Sequence, residues 1–199
     1  MFSNLSQTSS PIELFSASGK NPGKNWRSNG GGIHRVYDRT IKGFVFLIDK
    51  GIGTNLQAPA NGKDVLGIYQ RYLLFQIRCS VSKPLSIEIT VSDRKGQRHR
   101  LHLSTKFRCV DRNELHTQIP LDFEQKEKWN NFIFDLKMLA NVLFPGEDYH
   151  SLDSICIHPV CRIRKILTIP SLEESDNKIP ESIDFPNSVD YITQVSWFP

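Results

Sequence analysis

Nowhere in this 199-residue chain do eighteen apolar residues run together, so no stretch is long and apolar enough to cross a bilayer as a helix. The opening residues, Met1 to Lys20, lack a basic segment followed by an apolar one, which is the pattern of a secretory signal. Cysteine is scarce. Without such a leader, Cys79, Cys109, Cys156 and Cys161 do not read as a disulfide framework and are expected to stay reduced. A soluble intracellular protein, not a membrane one, is the expectation. Phosphate-cradling signatures are missing as well. Gly51-x-Gly53 is followed by Leu56 where a third glycine would stand, and neither a P-loop nor a G-x-S-x-G elbow occurs. No period of 20 to 50 residues recurs, which argues against a propeller or solenoid.

Metal and nucleophile chemistry find little support. Cys156-x-His158-x-x-Cys161, with Cys109 or His116 as further ligands, lacks the regular spacing of structural zinc sites. Cysteines buried in strands are the simpler account. His99 and His102, three apart, fall on opposite faces of a strand and cannot chelate together without a bulge. No metal, cofactor or small-molecule substrate is expected, and the chain does not read as an enzyme.

What is present suffices for one ordinary globular domain: 39% hydrophobic and 10% aromatic residues. The charge is unevenly placed. From Glu173 onward six acids face the single base Lys178, a net of −5, which leaves 24 basic and 15 acidic residues in 1–172, a net of +9. The chain therefore divides into a basic domain, 1–172, and an acidic, proline-marked tail, 173–199. An acidic partner is implied. The tail reads as a solvated linker in preference to an internal decoy for the basic domain, although Ser188 to Phe198 is apolar enough to dock on the domain or on a partner.

Short alternating segments between turn residues give the pattern of an all-β sandwich or barrel. Strands are expected at 12–17, 33–37, 43–49, 72–79, 85–92, 98–105, 115–120, 129–135, 154–158 and 161–169. One segment breaks the pattern. After Asp135, a candidate N-cap, Leu136, Leu139, Ala140 and Leu143 follow helical spacing and Pro145-Gly146 stops the run. A short helix near 136–144 should cap one end of a sandwich, because Met138, Val142 and Phe144 make its other faces apolar too. The triple glycine Gly30 to Gly32 reads as a flexible turn.

The clearest hairpin runs from Ser86 to Ser104. Ile87, Ile89, Val91, Leu101 and Leu103 point inward, Asp93-Arg94-Lys95-Gly96 turns, and Arg98, Arg100 and His102 form a wet basic face. In Cys161 to Ile169, period 2 puts Cys161, Ile163, Leu167 and Ile169 on one face and Arg162 and Arg164 on the other with Ile166. Lys165 spoils the alternation, which calls for a bulge or a snorkelling stem. The two arginines suit either a solvated face or a binding patch. If the two segments are neighbours, Arg94, Lys95, Arg98, Arg100, Arg162 and Arg164 make one basic face, with Lys106 and Arg108 nearby.

Several segments then carry a resemblance: Cys161-Arg162-Ile163-Arg164-Lys165, Leu66-Gly67-Ile68, Trp129-Asn130 leading into Phe132-Ile133-Phe134-Asp135-Leu136, and the start Met1-Phe2. In order and spacing they resemble the family of cilia- and flagella-associated protein 20, as do Glu13 to Trp26, Gln70 to Ile77 and Leu152 to Ile169. The resemblance covers roughly Met1 to Pro170. It implies a jelly-roll-like β-sandwich with a short helix, and a non-catalytic structural role in ciliary axonemes, centrioles or basal bodies. The implied partners are the tubulin lattice and neighbouring axonemal proteins, with Arg162 and Arg164 on the family's arginine-bearing strand. Some relatives of this kind continue into a long low-complexity extension, so any function residing there is in doubt for this sequence.

Two other binding classes, and a protein–protein adaptor role without tubulin contact, are alternatives. A carbohydrate reader needs aromatic platforms, but Trp26 and Trp129 read better as core or edge anchors. Nucleic-acid binding is not favoured, because no aromatics for stacking bases interleave the sets around Arg98 and Arg164.

Overall fold

The computed structural model describes residues 10–122, 127–172, 179–186 and 188–195. Met1-Phe2, the acidic run 173–178 and Trp197-Phe198 lie outside them. Among the described residues fourteen strands form two seven-stranded sheets packed face to face, an all-β sandwich with one α-helix. The first sheet runs β14(Tyr191–Val195), β11(Trp129–Asp135), β6(Tyr72–Cys79), β13(Cys161–Ile169), β4(Gly43–Ile48), β3(Ile33–Asp38), with β1(Ile12–Ser16) also on β13. The second runs β2(Arg27–Asn29), β5(Asn55–Ala58), β12(Tyr149–His158), β7(Ser86–Asp93), β8(Arg98–Ser104), β10(His116–Pro120), β9(Asp111–Arg112). Neighbours are antiparallel except β8–β10 and β11–β14, which are parallel.

The shared core follows from period 2. Ile87, Ile89, Val91, Leu101 and Leu103 of the second sheet meet Leu73, Phe75, Ile77, Phe132 and Phe134 of the first in one dry cluster. Helix α1(Leu136–Leu143) seals that cluster with Leu136, Leu139 and Leu143; with Ala140 these are the four positions its spacing picks out, all buried. Its packing against β6 and β11 of one sheet and β12 of the other puts it across an end of the sandwich. Asp135 caps it by accepting from the Met138 amide at 3.0 Å, and Arg112 Nη1 donates to the Leu143 carbonyl at 3.2 Å at the other terminus.

Strand β13 carries the bulge expected at Lys165: its register against β6 slips between Ile163 and Lys165. The inserted residue changes which side chains face inward. Cys161, Ile163 and Ile166 enter the core, whereas Leu167 and Ile169 turn to the outer face of the sheet. Period 2 carried unbroken through the bulge had assigned Leu167 and Ile169 to the face of Cys161 and Ile163.

That outer face is covered. Residues 179–186 and 188–195, from the region read as an acidic tail, cross the first sheet. Ile179 and Ile183 pack on Leu74, Ile133, Leu167 and Ile169, and Phe185 and Val189 pack on Ile41, Val45 and Trp129. β14 then adds itself to the edge of β11. Polar contacts fix the crossing. Gln76 Nε2 donates to the Ile183 carbonyl at 2.8 Å, Asn131 Nδ2 donates to Asp184 Oδ1 at 2.9 Å, and the Tyr191 hydroxyl donates to the other Asp184 oxygen. We call this segment the strap.

The glycine turn is not loose. A Cβ on Gly30, where φ is +71°, would lie 2.9 Å from the Thr54 Cα, and one on Gly32 would lie 2.7 Å from the Asp49 carbonyl oxygen. These two glycines let the 30–32 and 49–54 segments touch; only Gly31 faces open space.

Candidate functional site

The β7–β8 hairpin presents its cations as its alternation requires. Asp93 closes the turn by accepting from the amides of Lys95 at 2.8 Å and Gln97 at 2.9 Å. Burial opposes charge on Asp93, but His99 and these amides outweigh it and hold its carboxyl below the usual range. Arg94, Lys95, Arg98 and Arg100 project outward with side chains 55–74% exposed. Each lies near one carboxylate: Arg94 at 3.9 Å from Asp148, Lys95 at 3.0 Å from Glu147, Arg98 at 3.3 Å from Asp153 and Arg100 at 3.9 Å from Glu88. Arg98 and Arg100 line a shallow concavity of about 310 Å³ with Thr90, His116, Asp64 and Asp153.

Arg162 and Arg164 do not join them. They stand on β13 in the first sheet, so the sandwich separates them from the second-sheet hairpin, and the six-residue basic face divides in two. The two segments are distant in sequence, and each is an internal strand of its own sheet. Arg162 Nη1 donates to Asp38 Oδ2 at 2.8 Å. Arg164 donates to Gln76 Oε1 and stacks 5.5 Å from the Phe185 ring of the strap. Burial pulls its pKa down, against the charges of Asp184 and Glu13. Both arginines therefore organise the strapped side of the molecule.

The histidines separate as strand alternation requires. His99 points inward, 3.1 Å from Asp93 Oδ2 and stacked on Phe144 at 4.2 Å, while His102 sits outside, 2.6 Å from the Ser86 hydroxyl. On the same outer face His158 lies 3.7 Å from Cys156 Sγ and 2.8 Å from Glu88 Oε1. The Cys156 contact and then Glu88 push the His158 pKa up to about 10. Both partners approach the same ring nitrogen, Nε2, so the group lacks the relay in which a base uses one nitrogen for the nucleophile and the other for its orienting acid. Among the described residues no three His, Cys, Asp or Glu side chains cluster as a metal site. Cys79 and Cys161 are buried, Cys156 is half-buried and Cys109 is exposed; none of the four is joined in a disulfide.

A second polar concavity, absent from the sequence reading, opens where α1 meets the hairpin turn. It has a volume of about 510 Å³ and is lined by Tyr69, Arg71, Arg94, Lys137, Asp148 and His150, with Tyr149 behind. The sequence signal was faint: Arg71 precedes a strand and Lys137 opens a helix, 66 positions apart.

Two face-to-face β-sheets with one helix across an end, carrying a hairpin of exposed cations, define the class: an all-β sandwich domain. The CFA20 domain family model matches residues 1–185, and the chain belongs to that family. It is 28% identical over 185 residues to "Cilia- and flagella-associated protein 20" of Paramecium tetraurelia, covering 91% of this chain and 94% of that one. The match extends past residue 172 into the strap. A solved structure titled "Structural analysis of an exo-beta-agarase" overlaps 82% of this chain and 25% of that one at 12% identity, with a TM-score of 0.40, too loose a likeness to bear on function.

Proposed function

We propose that this chain is a non-catalytic structural protein of the cilium or flagellum that docks on the acidic surface of microtubules, at the axoneme or the centriole and basal body. Membership of a cilia- and flagella-associated family supports the setting. The observation that carries the docking is the grouping of Arg94, Lys95, Arg98 and Arg100 on one exposed hairpin, on the sheet opposite the strap. Arg162 and Arg164 are left out of the docking face, since they stand on β13 in the opposite sheet, against Asp38, Gln76 and the strap's Phe185.

Magnitudes limit what charge does. Exposed ion pairs contribute about 0.2–1 kcal/mol each, so four supply about 1–4 kcal/mol, whereas micromolar affinity needs about 8 kcal/mol. Charge steers the encounter over about 8 Å at physiological salt; holding requires a complementary surface, a neighbouring axonemal protein, or many copies side by side. The test is co-sedimentation of the full chain with stabilised microtubules across a salt series. Binding that weakens steeply with salt, and weakens further in the double variant Arg98→Glu/Arg100→Glu, supports the reading. Absence of binding at low salt overturns direct contact and favours an adaptor that reaches the axoneme through another protein.

A further inference from the structure

We infer that the concavity between the hairpin turn and the start of α1, which shares Arg94 with the docking hairpin, is a binding site for a carboxylate-rich peptide segment. This rests on the reading of the partner as acidic, and adds a place and a ligand class to it.

The site is built before any ligand arrives. The Arg71 guanidinium is held from behind by Asp135, with Nε 3.0 Å from both carboxylate oxygens and Nη2 2.5 Å from Oδ2. Asp135 is itself buried and fixed by capping α1. The side chain of Arg71 remains about half exposed, so an immobilised cation faces the cavity with its remaining nitrogen unspent on Asp135. Such a group loses little rotamer freedom on binding an anion. The 68–70 segment is pinned as well: the Tyr149 hydroxyl lies 3.2 Å from the Ile68 carbonyl oxygen and 3.0 Å from that of Gln70. Tyr69, more than half exposed, lies against His150 at 4.9 Å, giving the cavity an aromatic wall.

Arg94 and Lys137 complete the rim, opposed in the lining by Asp148 alone. Three cations around about 510 Å³ leave room for more than one carboxylate, and a half-exposed aromatic wall suits the apolar stems of glutamates. A single phosphate would place its charge at one point. Here the cations come from three separate segments, Arg71 before β6, Arg94 in the hairpin turn and Lys137 in α1, which favours a chain of carboxylates.

The probe is a fluorescein-labelled oligoglutamate, titrated by anisotropy at low salt against the full chain. Arg71 is left intact, because removing it strands buried Asp135. The variants are Lys137→Glu and Arg94→Glu, both on exposed positions; an acid in the first turn of a helix also suits the helix dipole, so Lys137→Glu does not weaken α1. The expected result is binding by the wild-type chain that falls about tenfold in each variant, with melting unchanged, while Arg98→Glu/Arg100→Glu binds the peptide as the wild type does. Failure of the wild-type chain to bind, or wild-type affinity retained in both variants, overturns the site. Displacement of the peptide by inorganic phosphate or a short RNA at lower concentration overturns the ligand class. A wild-type chain that does not bind the peptide yet keeps salt-sensitive microtubule co-sedimentation would sink this site and leave the proposed function standing.

Discussion

Arg162 and Asp38 form an ion pair at 2.8 Å, in which a half-exposed guanidinium satisfies a carboxylate that is only 2% exposed. Burial raises the Asp38 pKa, but Arg162 and the amides of Ile41 and Thr40 outweigh it and hold the carboxyl below its usual range. Arg162→Glu removes that partner and adds a like charge. We expect a loss of about 2–3 kcal/mol, read as a melting temperature several degrees lower. Arg98→Glu should change stability by less than about 1 kcal/mol. Equal melting of the two variants would contradict the division of the arginines between structure and docking.

Cutting the chain after Leu172 removes the strap and uncovers Leu74, Ile133, Leu167 and Ile169. An exposed apolar patch of this kind promotes association. The 1–172 fragment should bind a hydrophobic dye and self-associate on gel filtration, where the full chain does neither. In the intact chain Phe185→Ala, at the contact with Trp129, Tyr191 and Arg164, should cost about 3 kcal/mol by chemical denaturation. A monomeric 1–172 fragment of unchanged stability would show the strap to be dispensable.

Gly30→Ala and Gly32→Ala should each destabilise by about 1–3 kcal/mol, since the new methyl meets backbone atoms of Thr54 or Asp49. Gly31→Ala should be neutral or slightly stabilising, because its site is open. Thermal melts of the three variants decide this, and similar behaviour at all three positions would restore the flexible turn.

The His158–Glu88 pair sets a pH window. His158 is raised in the folded chain to about 10, so its stabilisation is fully present below its unfolded pKa of about 6.5. It is lost progressively as pH rises through about 10. Glu88 is lowered, by the His158 hydrogen bond first and against burial, so its share disappears only as pH falls below the ordinary glutamate range. The stability difference between the wild-type chain and His158→Gln should be largest at pH 5–6.5 and shrink toward pH 10. A difference that is flat across that range would contradict the assignment.

How much was legible depends on where the signal lies. The hairpin of Ile87, Ile89 and Val91 against Leu101 and Leu103, and the helix from Leu136 to Leu143, are local patterns, and both stand where period predicts. Strands β2, β5 and β9, of two to four residues, are too short to show alternation. Neighbours across the sheets are non-local, so nothing near Arg162 could reveal that the 94–100 hairpin belongs to the other sheet. The strap had left a trace that alternation alone did not interpret. β6 and β11 are apolar on both faces, with Leu73 to Phe75 and Phe132 to Phe134 unbroken, which in a sandwich signals that something covers the outer side. Sites made from distant segments, such as Arg71 with Lys137, become visible only once the sheets are assembled.

The strap divides the molecule into two tiers of cooperativity. β14 holds on to the sheet through one parallel neighbour, whereas β6 is hydrogen-bonded on both edges and buried on both faces over 73–77. Openings that release 179–195 need not break the shared core, so amide protons of β14 should exchange with solvent well before those of β6. A partner that captured the opened state would gain the outer face of the first sheet without unfolding the second, and the hairpin cations would keep their geometry throughout.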